Sequence, residues 1–220
     1  MGNKFFIGVL VAIAAVFGVV LFNKQETSAP ESQASVSDHV QGAGTTGVEL
    51  VEYGDFECPS CAAYYPIVKQ VKEEFGDEIT FRFRHFPLTQ IHQNAMAAHR
   101  AAEAAGNQGK FFEMHDMLFE RRDQWIARSG ISTAQAISIF EGYAEELGLD
   151  VAQYKVDASA ALTNDIINND VRLGQEAGAS GTPTFVLDGK VVPLEEIRQP
   201  EAFIAKVREA IEAKSDNGVE

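Results

Sequence analysis

The sequence predicts an α/β domain whose two halves are separated by a long helical insertion. Three observations carry this reading: a strand, helix, strand pattern over residues 48–85, helical periodicity from about 91 to 178, and a hairpin followed by a helix after residue 184. The chain has 220 residues, so one domain's length remains once an apolar N-terminus and a polar spacer are set aside.

Taken in order, Phe5 to Phe22 is a run of 18 uncharged residues between Lys4 and Lys24. As a helix it would span roughly 27 Å of a hydrocarbon core about 30 Å thick. The competing reading is a cleaved signal sequence, but Thr27-Ser28-Ala29 is followed at once by Pro30, and Ser32-Gln33-Ala34 lies well beyond the apolar run. Residues 1–22 are therefore expected to be an uncleaved membrane anchor. Lys4 and the terminal amine outweigh Lys24, which Glu26, Glu31 and Asp38 dilute, so the N-terminus is expected in the cytoplasm. Anchor or signal, the rest then lies outside the cytoplasm, in the periplasm or at the cell surface, where disulfides persist. Residues 23–46 contain no Leu, Ile, Phe, Tyr or Trp and are expected to form a flexible linker.

The domain is expected over residues 47–214. Val48 to Tyr53 is a largely apolar run closed by Gly54, as in a buried strand. Tyr64, Val68, Val71 and Phe75 then fall at helical spacing, with Gly76 as a stop. Ile79, Phe81, Phe83 and His85 alternate with Thr80, Arg82 and Arg84, the period of a half-buried strand. Such a crossover makes the two strands parallel. The insertion, about 91–178, holds an Ala-rich helix stopped by Gly106, a helix carrying Phe111, Met114 and Leu118, and a helix opened by Ser132-Thr133. Thr184 to Leu187, Asp188-Gly189 and Lys190 to Val192 read as a tight hairpin. Phe203, Ile204, Val207 and Ile211 stripe a last helix, and 215–220 is expected to be a disordered tail.

Lys plus Arg total 18 against 32 Asp plus Glu, a net charge of −14 that repels a phosphate backbone and excludes nucleic acid as a partner. The two cysteines, Cys58 and Cys61, rule out a disulfide framework and a full set of zinc thiolates. The histidines (39, 85, 92, 99, 115) show no zinc-type spacing and read as helix-face or strand-end residues, so no metal is assigned. Trp125 reads as a packing residue of the insertion.

Cys58 stands where a strand feeds a helix. Unpaired N–H groups and the positive end of the helix dipole there favour its thiolate. Pro59 suits the first helical position, and Cys61, a turn further in, suits the role of resolving sulfur. By itself such a pair also fits an inert disulfide or half of a metal site.

Asp55-Phe56-Glu57-Cys58-Pro59-Ser60-Cys61, Arg84-His85-Phe86-Pro87-Leu88, Gln108-Gly109-Lys110-Phe111-Phe112 and Gly181-Thr182-Pro183-Thr184-Phe185 together resemble the DsbA family, in particular its membrane-tethered Cys-Pro-Ser-Cys members. The resemblance implies a thioredoxin-like fold with the helical insertion between the βαβ unit and a cis-proline/β-hairpin unit. It places the cis-proline loop at Thr182-Pro183, facing Cys58 and able to pair with an extended substrate chain. Pro87 is expected only to end a strand. Glu52, on the face of Val48 and Leu50, matches a buried acid that shuttles protons for Cys61. A strand-end glutamate reaching water is the alternative. Ser60 departs from the histidine of the well-studied member, and its hydroxyl can donate to the Cys58 thiolate without adding charge. The implied activity is a cofactor-free protein thiol:disulfide oxidoreductase, an oxidase of secreted or surface proteins. Its implied partners are thiol-containing substrate proteins and a membrane reoxidase of DsbB or VKOR-like type. A reductase or isomerase on the same fold, and a tethered binding module with a structural disulfide, are the rival readings.

Overall fold

Two sets of side chains on one strand decide how the layers stack. The computed structural model describes residues 37–217. In it β1 (His39–Gln41), β2 (Val48–Gly54), β3 (Ile79–His85), β4 (Thr184–Leu187) and β5 (Lys190–Val192) form one sheet in the order β1-β3-β2-β4-β5. Along β2, Val48, Leu50 and Glu52 are buried on one face, where they meet the main core with Phe81, Phe83, Phe185 and Leu187. Tyr53 faces the other way, into a smaller cluster with Phe86, Ala179 and Val186.

The crossover is as the sequence implies. β2 runs parallel to β3, with Leu50 opposite Phe81, and antiparallel to β4, with Glu52 opposite Phe185. Helix α1 (Pro59–Phe75) makes the connection and packs against the last helix, α7 (Pro200–Asn217). The insertion comprises α2 (Ala95–Gly106), α3 (Phe111–Glu120), α4 (Thr133–Glu146), α5 (Val151–Ser159) and α6 (Ala161–Glu176). Ala-rich α2 is its hub, because small side chains let α3, α4, α5 and α6 all pack against it. Ser132 and Gln135 close a capping box at the start of α4. Asp188 and Gly189 have φ of 48° and 78°, the double positive φ that a type I′ hairpin requires. Trp125 is fully buried and donates its indole N–H to Leu118 O at 3.0 Å, as a packing residue should.

Two boundaries are corrected. The predicted linker ends before β1, since His39–Gln41 pairs antiparallel with β3, Val40 opposite Arg82. Edge pairing needs backbone and a few anchors rather than apolar content. Here the anchors are His39 stacked on Phe111 at 3.5 Å and Gln41 accepting from Lys72 at 2.8 Å. The predicted tail begins too early, because α7 continues to Asn217. The expected anchor, residues 23–36 of the linker and 218–220 of the tail lie outside the described residues. Among the described residues no helix is long and apolar enough to cross a membrane.

Candidate active site

Cys58 is the N-cap of α1, with φ −70° and ψ 125°, and Pro59 follows in the first helical turn. No conventional capping side chain is present, so the sulfur stands where a capping oxygen would accept. Cys61, at the third helical position, is wholly buried, while Cys58 keeps 6% of its surface. Both are thiols in this structure. The Cys58 thiol is pulled down to about 5, chiefly by the hydrogen bond it receives from Cys61. Burial opposes this, and Thr182 and the N–H groups of Cys61 and Ser60 reinforce it. Cys61 is pushed up by burial first and then by the proton it shares with Cys58.

Glu52 is buried, close enough to the pair for the Cys58 charge to bear on it, and the water-reaching alternative is overturned: it is 2% exposed. Its pKa rises to about 8, mainly through burial, with the Lys72 charge opposing and the Cys58 charge adding. Glu52 Oε1 has no hydrogen-bond partner among the described residues. The Lys72 ammonium, on α1, lies over the rings of Phe81 and Phe112 at 5.0 and 5.6 Å.

The Thr182–Pro183 bond is cis, and the Cys58 Sγ lies 3.4 Å from Thr182 O. The Thr182 hydroxyl is buried and has no hydrogen-bond partner among the described residues, so it can donate to a thiolate. Thr182→Val keeps the shape and deletes that donor. The Cys58 pKa is expected to rise by about one unit, given the strength of hydrogen bonds to charged groups. Thiolate absorbance near 240 nm as a function of pH reads it, and an unmoved curve would show the hydroxyl idle.

The sequence missed the acids flanking Phe56. Asp55 is fully buried; its N–H donates to Cys61 Sγ at 3.4 Å and its C=O accepts from Cys58 N at 3.0 Å. Its carboxylate accepts from Glu57 N and Leu88 N, both at 2.8 Å, and pairs with His92 Nδ1 at 2.7 Å. Burial would raise the Asp55 pKa, yet the His92 hydrogen bond, the neighbouring His99 imidazole and the Leu88 N–H outweigh it and hold the group well below its ordinary value. His92 is raised in turn, chiefly by its bond to Asp55, with the charges of Cys58 and Glu57 adding. Glu57 accepts from Asn94 N at 2.6 Å and Ala127 N at 2.8 Å, and its own C=O accepts from Arg122. The residue before Cys58 is thus buttoned to the insertion. A sequence signal existed: two acids within three residues of a strand end, in a segment otherwise apolar.

His39 and His85 stand at strand ends and His99 and His115 on helices, as expected, but their grouping was not foreseen. His85, His99 and His115 are buried, and His85 joins His39, His99 and Glu103 in one polar cluster. Spacing could not show this, because β1, β3 and α2 bring the members together from distant parts of the chain.

Residues 34–211 match the family model described as thioredoxin. A thioredoxin-like oxidoreductase from Silicibacter pomeroyi is 26% identical with TM-score 0.62, over 81% of this chain and 92% of that one. Oxidised BdbD from Bacillus subtilis is 18% identical with TM-score 0.64, over 79% and 92%. Wolbachia pipientis α-DsbA1 is 15% identical with TM-score 0.67, over 82% and 94%; likeness at such identity concerns the fold. Among curated proteins, a Na(+)/H(+) antiporter NhaA 1 of Salinispora arenicola is 39% identical over 70% of this chain but only 22% of its own. That of Mycobacterium sp. strain KMS is 32% identical over 84% and 30%. The chain thus spans less than a third of these relatives. Because the matched segment takes in every strand and all of the helices except the last turns of α7, the whole described domain belongs to the thioredoxin family.

Proposed function

We propose that the chain is an extracytoplasmic protein thiol:disulfide oxidoreductase that works as an oxidase, tethered by its N-terminal segment. The observation that carries the direction is the place of Cys58 at the α1 N-cap, where the Cys61 thiol and the N–H groups of Cys61 and Ser60 favour its thiolate. With the Cys58 pKa near 5 against 9.0 for an ordinary thiol, Cys58 is ionised at pH 7 only when folded and reduced. The group is depressed, so its contribution to the reduced form is full above pH 9 and lost as pH falls through 5. At pH 7 it amounts to at most about 2–3 kcal/mol, or roughly 60 mV toward a stronger oxidant, an upper figure because water screens part of the sulfur's charge.

In the proposed cycle a substrate thiolate attacks Cys58 Sγ of the disulfide, the bond to Cys61 breaks, and Cys61 leaves with the electron pair. Glu52, neutral near pH 7 and close enough to Cys61 for their charges to interact, supplies the proton its departing sulfur needs. A second substrate thiolate then attacks its own partner sulfur and expels the Cys58 thiolate, so two electrons pass to the enzyme. The Thr182–Pro183 loop lines the sulfur's exposed side and offers backbone to an extended substrate. A membrane reoxidase of DsbB or VKOR-like type would take the electrons back. No cofactor takes part.

The reduced protein should therefore unfold at a higher temperature than the oxidised one at pH 7, with the gap closing toward pH 5. A glutathione equilibrium should place the pair among oxidants. If the oxidised protein is clearly the more stable, the reductase reading replaces this one.

A further inference from the structure

We propose that His39, His85 and Glu103 form a binding site for a divalent metal ion, zinc in the first instance, where β1, β3 and α2 meet. His39 Nε2 and His85 Nε2 each lie 2.6 Å from Glu103 Oε1. All of these donor atoms fall within 4.8 Å of one another. Zinc takes imidazole nitrogen and carboxylate oxygen at about 2.0–2.2 Å, which separates the ligand atoms of a tetrahedral site by roughly 3.3 Å. An ion enters if the Glu103 oxygen withdraws from both nitrogens and the two imidazoles turn to bring Nε2 of each to that spacing.

Hydrogen-bond counting indicates that the cluster lacks one cation. His85 Nδ1 lies 2.6 Å from His99 Nδ1, so one of the two must carry the proton between them. If His85 and His39 are neutral and both donate to Glu103, His85 Nδ1 is bare and His99 must donate there. His99 Nε2 is then a bare lone pair. It is buried with no hydrogen-bond partner among the described residues, and it faces the Asp55 carboxylate at 3.9 Å. Two acceptors would confront each other in the core, an arrangement that costs free energy. A cation held between His39, His85 and Glu103 reverses the direction of the chain. His85 Nδ1–H donates to His99, and His99 Nε2–H points at Asp55. This is also the outer-shell pattern that fixes a metal-bound imidazole.

The surroundings favour a metal ion over a shared proton as that cation. His39 is held flat against Phe111, with ring centroids 3.5 Å apart, so its nitrogen is aimed rather than free. It also borders a cavity of about 370 Å³ whose lining includes Asp38, Glu113 and Asp116 and no Lys or Arg. Asp38 and Glu113 also meet Arg82 and Lys110 outside that lining. The cavity gives an entry path and room for water as fourth ligand. A bound ion would staple β1 to β3 and α2, where the domain begins.

The test uses the full chain, chelator-treated and with Cys58 and Cys61 oxidised so that thiolates cannot compete for metal. Titration with zinc chloride by calorimetry should give one zinc per chain and a zinc-dependent rise in unfolding temperature. His39→Ala and Glu103→Gln should each abolish stoichiometric binding. His99→Gln, which touches no metal, should weaken it about ten- to a hundredfold, as outer-shell changes do. Cobalt in place of zinc should show the visible bands of a four-coordinate site. No zinc bound by the oxidised wild type, or undiminished binding by His39→Ala, would overturn the site and leave a shared proton as the cluster's cation. Should His39→Ala fail to fold, the wild-type stoichiometry and Glu103→Gln still decide.

Discussion

Cys61→Ser is expected to accumulate covalent one-to-one complexes with substrate proteins, while Cys58→Ser forms none and loses disulfide transfer to background. The asymmetry follows from burial and charge. Cys58 keeps 6% of its surface and an acid-shifted sulfur, whereas Cys61 is 0% exposed and held in its protonated form. Only Cys58 can meet an incoming sulfur. Serine at 61 still offers a hydroxyl to the Cys58 thiolate, so the attacking sulfur stays activated while the group that would break the mixed disulfide is gone. Non-reducing gels of extracts, with mass spectrometry of the adducts, read the result. Trapping by Cys58→Ser instead would reverse the two roles.

How much of this was legible beforehand depends on the range of the interaction. β2, α1 and β3 announce themselves through local periodicity, and the tight turn at Asp188-Gly189 through backbone chemistry that few other dipeptides supply. The cysteine pair and Thr182–Pro183 were legible because motifs in the right order resembled a family. β1 was not legible: three residues of an edge strand gain their order from β3 and from Phe111 and Lys72, none of which a local window contains. Asp55 and Glu57 belong to one of those motifs, but their burial depends on Leu88 after β3 and on His92, Asn94 and Ala127 arriving from the insertion. The histidine cluster is the extreme case, since its members come from β1, β3 and α2. Glu52 lies between these cases. The alternation along β2 placed it inward, and only the packed structure shows that it stays there.

Glu52→Gln should stabilise the protein increasingly as pH rises, and should slow disulfide exchange. The folded pKa of Glu52 is raised from 4.5 to about 8 because burial disfavours the carboxylate. For a group raised in this way, stability is fully present below pH 4.5 and is lost as pH climbs through 8. An unfolded glutamate ionises freely above 4.5, while the folded one must stay neutral or carry a buried charge. Glutamine has the same shape and no such cost. The gain of the variant should be under about 1 kcal/mol at pH 5 and about 4 kcal/mol at pH 8, the latter an upper figure for a fully buried group. Denaturant unfolding of wild type and variant at the two pH values measures the difference between gains. The same change removes the proton donor close to Cys61, so the rate at which reduced enzyme is formed should fall, most clearly near neutral pH where Glu52 is protonated and a buried Cys61 thiolate is costliest. A variant equally stabilised at both pH values would place the carboxyl in contact with water, and unchanged exchange rates would leave Glu52 a buried acid with no part in the chemistry.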